Sequence, residues 1–261
     1  MLICRFSTDG RQGYGQLDGA QVIPLAGAPF AGPPRPCGRP LPLAEVSLLP
    51  PVTPTKIVCV VLNYANGAHP HLRSDVPRPP VLKPPSSVAG PGDCVPHPGE
   101  PWQLKHEAEL AVVIGVGCKD VTVERAIDVV AGYTCANDIT AYAPDADADT
   151  GGSGFRGAWA KHFDAFCPLG PWLATDLDHA DLEVTCRVDG EVRQHGSTKH
   201  LIMSVPEVIA QVSEHMTLVP GDVILTGTPA GSGPLHVGHQ VEVSISGIGT
   251  LRNGVSEGIP L

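Results

Sequence analysis

Basic residues are scarce in this 261-residue chain: 17 Lys and Arg stand against 27 Asp and Glu, a formal net charge of −10. A nucleic acid, which calls for a basic stripe or patch, is therefore excluded as the main partner. A small anionic ligand is not excluded, because it responds to the local field rather than to the total charge. Long apolar runs are missing as well. No stretch reaches the roughly 20 residues of a membrane-spanning helix, so no membrane partner is expected. The 42% hydrophobic content and mean hydropathy of +0.06 suit a globular chain. The first ten residues, MLICRFSTDG, lack the apolar core and small-residue cleavage site of a signal peptide. Eight cysteines are scattered with no Cys-x-x-Cys pair and no Cys/His cluster at zinc spacing. These absences together point to a cytoplasmic protein with reduced thiols.

The chain that remains reads as mixed and mostly β, with few helices. Residues 1–50 form a small N-terminal β subdomain: strand-like pieces at 2–6 and 21–24 are followed by a Pro/Gly-rich stretch and a linker at Pro50, Pro51 and Pro54. Residues 51–261 form the main domain, which opens with a continuous apolar strand at 57–62. Residues 63–101 read as a long loop, and a loop of that length suggests a lid or binding segment. A helix is expected at 122–130 and a strand at 133–137, followed by a second loop at 143–154 rich in Asp, Ala and Gly. A hairpin turning at Asp189-Gly190 joins strands at 182–188 and 191–194. An amphipathic helix spans 205–215, with Ser204 before it and Pro206 in its first turn. Closing strands are expected at 223–226, 241–245 and 250–253.

Glu107 and Glu109 carry the first chemical signal. Two carboxylates two residues apart at the start of an apolar β run (KHEAELAVVI) point to the same side of a strand. Like charges held side by side are costly unless a cation or a proton sits between them. Carboxylate oxygens suit a hard cation such as Mg²⁺. The plain alternative is a solvated strand edge. Asp138, ending the strand at 133–137, supplies a third carboxylate. Lys161 stands in an apolar and aromatic stretch, Lys83 in a rigid polar turn, and Thr228 with Gly227 in a small-residue turn able to face an anion. Taken singly, Lys161 reads as a snorkelling surface lysine and Thr228 as a turn residue.

Nine ordered segments share a pattern. They are 56–65 (KIVCVVLNYA), 82–86 (LKPPS), 90–93 (GPGD), 106–115 (HEAELAVVIG), 131–141 (AGYTCANDITA), 160–166 (AKHFDAF), 168–172 (PLGPW), 188–194 (VDGEVRQ) and 216–231 (MTLVPGDVILTGTPAG). In these the chain resembles the fumarylacetoacetate hydrolase family, from Lys56 to about Gly254. The resemblance implies a rolled β-sheet catalytic domain, usually a homodimer. It implies Mg²⁺ or Mn²⁺ held by Glu107, Glu109 and Asp138, with Lys161 as the active-site lysine. Substrate-binding roles fall to Thr228, Gly227, Tyr142 and Lys83. The family acts on 2-oxo and β-dicarbonyl acids, with outcomes that include C–C hydrolysis, decarboxylation, enol–keto isomerisation and dehydration.

Two departures bear on the reaction. Hydrolytic members continue the Asn-Tyr-Ala segment with Asp-His and a later Glu, a lid dyad that activates water; here Gly67 and Pro70 stand at the His and Glu positions. His69 and His71 lie close by, and either could serve as a displaced base, or simply be exposed. After Asp138 the family's Arg-Asp gives way to Tyr142 and Ala143, a phenol where a carboxylate-gripping guanidinium is expected. A small anionic 2-oxo acid is thus the expected partner. The expected reaction is decarboxylation or enol–keto isomerisation through a metal-stabilised enolate. The alternatives are C–C hydrolysis of an acylpyruvate-like substrate with His69 or His71 as base, and a non-catalytic metal-binding scaffold.

Overall fold

A large mixed sheet carries the fold. The computed structural model describes residues 1–30, 32–65, 80–143 and 157–258. Among these, the sheet runs in the order Leu41–Pro42, Gln21–Leu25, Arg11–Asp18, Leu2–Thr8, Cys167–Ala174, Val130–Asn137, Ala108–Ile114, Val223–Leu225, Ile57–Cys59, Val81–Lys83. A second sheet is ordered Glu191–Ser197, Glu183–Val188, Gln240–Ile245, Gly249–Glu257, Cys94–His97. A small third sheet joins Thr140–Tyr142, Gln103–Lys105 and Pro234–Leu235. This is the expected mostly β architecture. No helix among the described residues is long and apolar enough to cross a membrane, and all eight cysteines are free thiols.

The core forms where two β faces meet. Strand Glu183–Val188 turns Val184, Cys186 and Val188 inward, opposite Ile245, Val243 and Val241 of the strand Gln240–Ile245. This is the period-2 pattern of a half-buried antiparallel pair. Strand Ala108–Ile114 is buried throughout, as a central strand covered on both faces must be, and its run of apolar residues meets that demand. The helix Val205–His215 presents Val205, Val208, Ile209 and Val212 to this core, the i, i+3, i+4, i+7 stripe of an amphipathic helix. Glu207 accepts hydrogen bonds from both the backbone N–H and the hydroxyl of Ser204 and so fixes the helix start.

Two local expectations are corrected, one helix is refined and two strands are new. The strand over 57–62 stops at Cys59, because Leu62 adopts φ +58° and is 44% exposed. Residues 63–101 are less of a loop than their Pro/Gly content suggests, since Val81–Lys83, Val88–Ala89 and Cys94–His97 are strands. Pieces of two to four residues are too short to show a period. Residues 122–130 wind into the 3₁₀ helix Val123–Val129 rather than an α-helix. Two eight-residue strands, Arg11–Asp18 and Cys167–Ala174, went unread. The second contains Pro168, Gly170 and Pro171, residues that argue against a strand interior, yet it joins the N-terminal strands to the main sheet through Leu2↔Ala174 and Ile3↔Leu173. Most of the 143–154 loop lies outside the described residues.

Truncating the buried stripe should cost far more than truncating the opposite face. Ile209→Ala is expected to lower unfolding free energy by about 3 kcal/mol, and Glu214→Ala by no more than about 0.5 kcal/mol, as read by urea denaturation. Equal effects would contradict the packing described.

Candidate metal centre

Strand register assembles the site. Ala108 pairs with Asn137 and Glu109 with Ala136. Carried one residue outward, this antiparallel register sets Glu107 opposite Asp138, and the Asp138 N–H donates to the Glu107 carbonyl at 2.8 Å. On the other side, Ala111 pairs with Leu225. Two residues further along, Gly227 faces Glu109 and its N–H donates to Glu109 Oε2 at 2.6 Å. Gly227 has φ +101°, and a Cβ there would stand 2.9 Å from Asn63 Cβ, so glycine is required on both counts. The three carboxylates converge, with one oxygen from each of Glu107, Glu109 and Asp138 within 4.8 Å of the others.

Two buried lysines oppose them. Lys161, 4% exposed, donates to Asp138 Oδ2 at 2.5 Å and Glu107 Oε2 at 2.8 Å. Lys83 lies 2.8 Å from Asp138 Oδ1, and it also donates to the carbonyls of Ile139 at 2.9 Å and Phe166 at 2.6 Å. Those three contacts use all three ammonium protons, so Lys83 clamps Asp138 rather than reaching outward. Burial alone would raise the Asp138 pKa, but the lysine charges and hydrogen bonds outweigh it and hold the carboxyl below its ordinary value. Burial would likewise lower the Lys161 pKa, and the carboxylates, Asp138 foremost, lift it well above the ordinary lysine value. Among the described residues no lysine hydrogen-bonds Glu109; burial, then the charge of Asp138, push its carboxyl well above the carboxylate range, with Lys161 opposing them only in part.

The donor set fits a hard divalent cation. It is all carboxylate oxygen, as Mg²⁺ and Mn²⁺ prefer. With all three ionised, three carboxylates against two ammonium groups leave one uncompensated negative charge. A dication turns that balance to one positive, which suits an anionic ligand.

The family model described as Fumarylacetoacetate (FAA) hydrolase C-terminal matches residues 56–256. The chain belongs to the fumarylacetoacetate hydrolase family. A second family model, Rv2993c-like N-terminal, matches residues 1–51. Oxaloacetate tautomerase FAHD2A of Bos taurus mitochondria is 41% identical over 231 residues, covering 82% of this chain and 71% of the relative. The crystal structure of 2-hydroxyhepta-2,4-diene-1,7-dioate isomerase from Mycobacterium marinum is 40% identical with a TM-score of 0.84, covering 98% of each chain. Maleylpyruvate hydrolase from Sphingobium sp. SYK-6, solved with manganese(II) and pyruvate, is 30% identical with a TM-score of 0.81, covering 99% of this chain and all of that one. These family members are enzymes of three kinds: a tautomerase, an isomerase and a hydrolase.

Of the residues singled out in the sequence, Glu107, Glu109, Asp138, Lys161, Lys83 and Gly227 are brought together here. Thr228 lies beside it with its hydroxyl engaged, donating to the Ala108 carbonyl at 2.8 Å and accepting from Gln194 at 2.8 Å. Tyr142 lies in the small sheet opposite Gln103, and the Lys105 ammonium sits 4.2 Å from the centre of its ring. His69 and His71 lie outside the described residues.

Several residues that build the site carry no charge to mark them in the sequence. Buried Gln194 takes hydrogen bonds from the Ala108 N–H at 3.0 Å and pairs with His106 Nδ1 at 2.9 Å, while its amide donates to Thr228 Oγ1 and to the Pro229 carbonyl, both at 2.8 Å. It thereby ties the carboxylate strand to the Gly227 turn. Burial lowers the pKa of His106 and keeps the ring neutral. Asn63 bridges the same turn to the helix entry through Thr226 and Met203. Cys59 Sγ lies 3.8 Å from Asp138 Oδ1. The one sequence signal for Gln194 and Asn63 was that each sits inside a shared segment.

Gln194→Ala would strip a partner from three buried groups and from the half-buried Thr228 hydroxyl. It is expected to destabilise the fold by about 3 kcal/mol, read as a lower urea midpoint at unchanged slope. A change within about 0.5 kcal/mol would contradict the assigned network.

Proposed function

We propose that this chain is a divalent-metal-dependent enzyme that interconverts the enol and keto forms of a small 2-oxo or β-dicarbonyl acid, or decarboxylates it. The observation that carries this reading is the convergence of Glu107, Glu109 and Asp138 against the buried Lys161 ammonium. When bound, Mg²⁺ or Mn²⁺ supplies Lewis acidity at the carboxylate and keto oxygens of a chelating 2-oxo acid. Lys161 sets a fixed positive charge where the keto oxygen gains negative charge as the adjacent carbon loses a proton or carbon dioxide. Lys83 and the Gly227 N–H hold Asp138 and Glu109 in place, so the site need not reorganise during the reaction.

Neither outcome requires an activated water, consistent with Gly67 and Pro70 at the positions of the family's lid dyad. The tautomerase and isomerase relatives, at 41% and 40% identity, favour isomerisation over decarboxylation. A second reading, C–C hydrolysis, is favoured by the likeness to maleylpyruvate hydrolase, and it assigns the base to His69 or His71. The intact carboxylate and lysine set argues against a retired scaffold. We take the working form to be the homodimer usual in the family.

The test is ketonisation of enol-oxaloacetate with Mg²⁺, followed by loss of enol absorbance, with pyruvate release measured alongside. Lys161→Met and Glu109→Gln are each expected to slow turnover by about 100-fold or more while circular dichroism stays native. Cleavage of acylpyruvates without ketonisation would shift the assignment to hydrolysis. Absence of every one of these activities in the wild type would overturn the enzyme reading.

A further inference from the structure

Tyr64 is a residue of this neighbourhood to which the proposed reaction gives no task. It is 5% exposed, and its buried hydroxyl has no hydrogen-bond partner among the described residues. Buried polar atoms are seldom left in that state, and each case asks for a reason. The ring lies alongside the turn that presents Gly227 to Glu109. A Cβ added at Gly196 would stand 3.8 Å from Tyr64 Cε1 and 2.6 Å from Pro229 Cβ. The preceding residue, Asn63, packs on Gly227, donates to the Thr226 carbonyl and accepts from the Met203 N–H.

Other polar groups here are engaged. The Thr228 hydroxyl both donates and accepts, the Gly227 N–H serves Glu109, and the Lys83 protons serve Asp138 and two carbonyls. Burial, and then the charge of Glu109, raise the Tyr64 pKa above the ordinary 10.0, so the phenol keeps its proton at neutral pH and is a donor.

We propose that Tyr64 is a substrate-positioning residue, its hydroxyl donating a hydrogen bond to an oxygen of the anionic 2-oxo acid bound at the Glu107, Glu109 and Asp138 site. The inference rests on the reading of that site as one for a 2-oxo acid. It also implies selectivity: a site built around a buried donor rejects analogues that lack the matching oxygen, because the donor is then left unpaired.

Oxalate, a planar mimic of an enolised 2-oxo acid, is the probe. Calorimetric titration into full-length protein with Mg²⁺ is expected to show binding about 10- to 100-fold weaker for Tyr64→Phe than for wild type. The thermal midpoint of Tyr64→Phe should not fall, since the hydroxyl has no partner among the described residues to lose. Equal oxalate affinity in the two proteins would overturn the inference, as would a lowered midpoint with unchanged affinity, the mark of a structural hydroxyl. In the wild type alone, oxalate should red-shift a tyrosine band in near-UV difference absorbance; saturation without any tyrosine perturbation would also overturn it. If wild-type protein binds no oxalate with Mg²⁺, the 2-oxo acid reading itself fails, and the positioning role fails with it.

Discussion

Three carboxylates, two of them buried and Glu107 half-buried, meet at one end of a strand pair, and the site is organised by what that costs. Isolated buried carboxylates are held off by desolvation and by each other. Here Lys161 spans Glu107 and Asp138, and Lys83 holds the other Asp138 oxygen. With all three ionised, one negative charge stays uncompensated, and Glu109, whose hydrogen-bond partner among the described residues is the Gly227 N–H, is the carboxyl whose pKa is pushed up. A divalent cation would relieve that charge. On the proposed function, that cation would leave the pocket net positive and so favour an anionic substrate.

The sheet delivers this arrangement by register alone. In an antiparallel ladder the residues just beyond the last pair stay opposite each other, and that places Asp138 across from Glu107 and Gly227 across from Glu109. A slip by one residue would turn Glu107 and Glu109 to the other face. The buried strand Ala108–Ile114, fixed on one flank by Val130–Asn137 and on the other by Val223–Leu225, makes such a slip costly. Gln194 adds a cross-link from the second sheet and couples the two layers at the site.

Where a physical signal is strong and local, the sequence discloses the structure. The helix 205–215 was legible because its apolar stripe, Ser204 and Pro206 agree, and its bounds match those observed. The Asp189-Gly190 hairpin was legible because few sequences turn that way. The strand Cys167–Ala174 was not, since Pro168, Gly170 and Pro171 contradict strand propensity and only its neighbours make it extended. In the site, Glu107 and Glu109 stood out at the start of an apolar run and Lys161 in an apolar and aromatic stretch, whereas Lys83, in a polar turn, was marked by the family pattern. Gln194, Asn63 and Tyr64 did not stand out, because a neutral polar residue gains meaning only from partners distant in sequence: Gln194 meets Ala108 from 86 residues away and Asn63 meets Thr226 from 163. Lys83 was visible as a charge, but its engagement with Asp138 and two carbonyls depends on the fold.

Binding of the cation itself is the most direct measure of this arrangement. Free Mn²⁺ gives a six-line electron paramagnetic resonance signal that broadens when the ion is bound to protein. Titration of Mn²⁺ into metal-stripped protein should suppress the free signal up to one ion per chain, Mg²⁺ should restore it by competition, and Glu109→Gln should abolish the suppression. A free-ion signal that rises in full from the first addition to wild-type protein would contradict a metal centre at Glu107, Glu109 and Asp138.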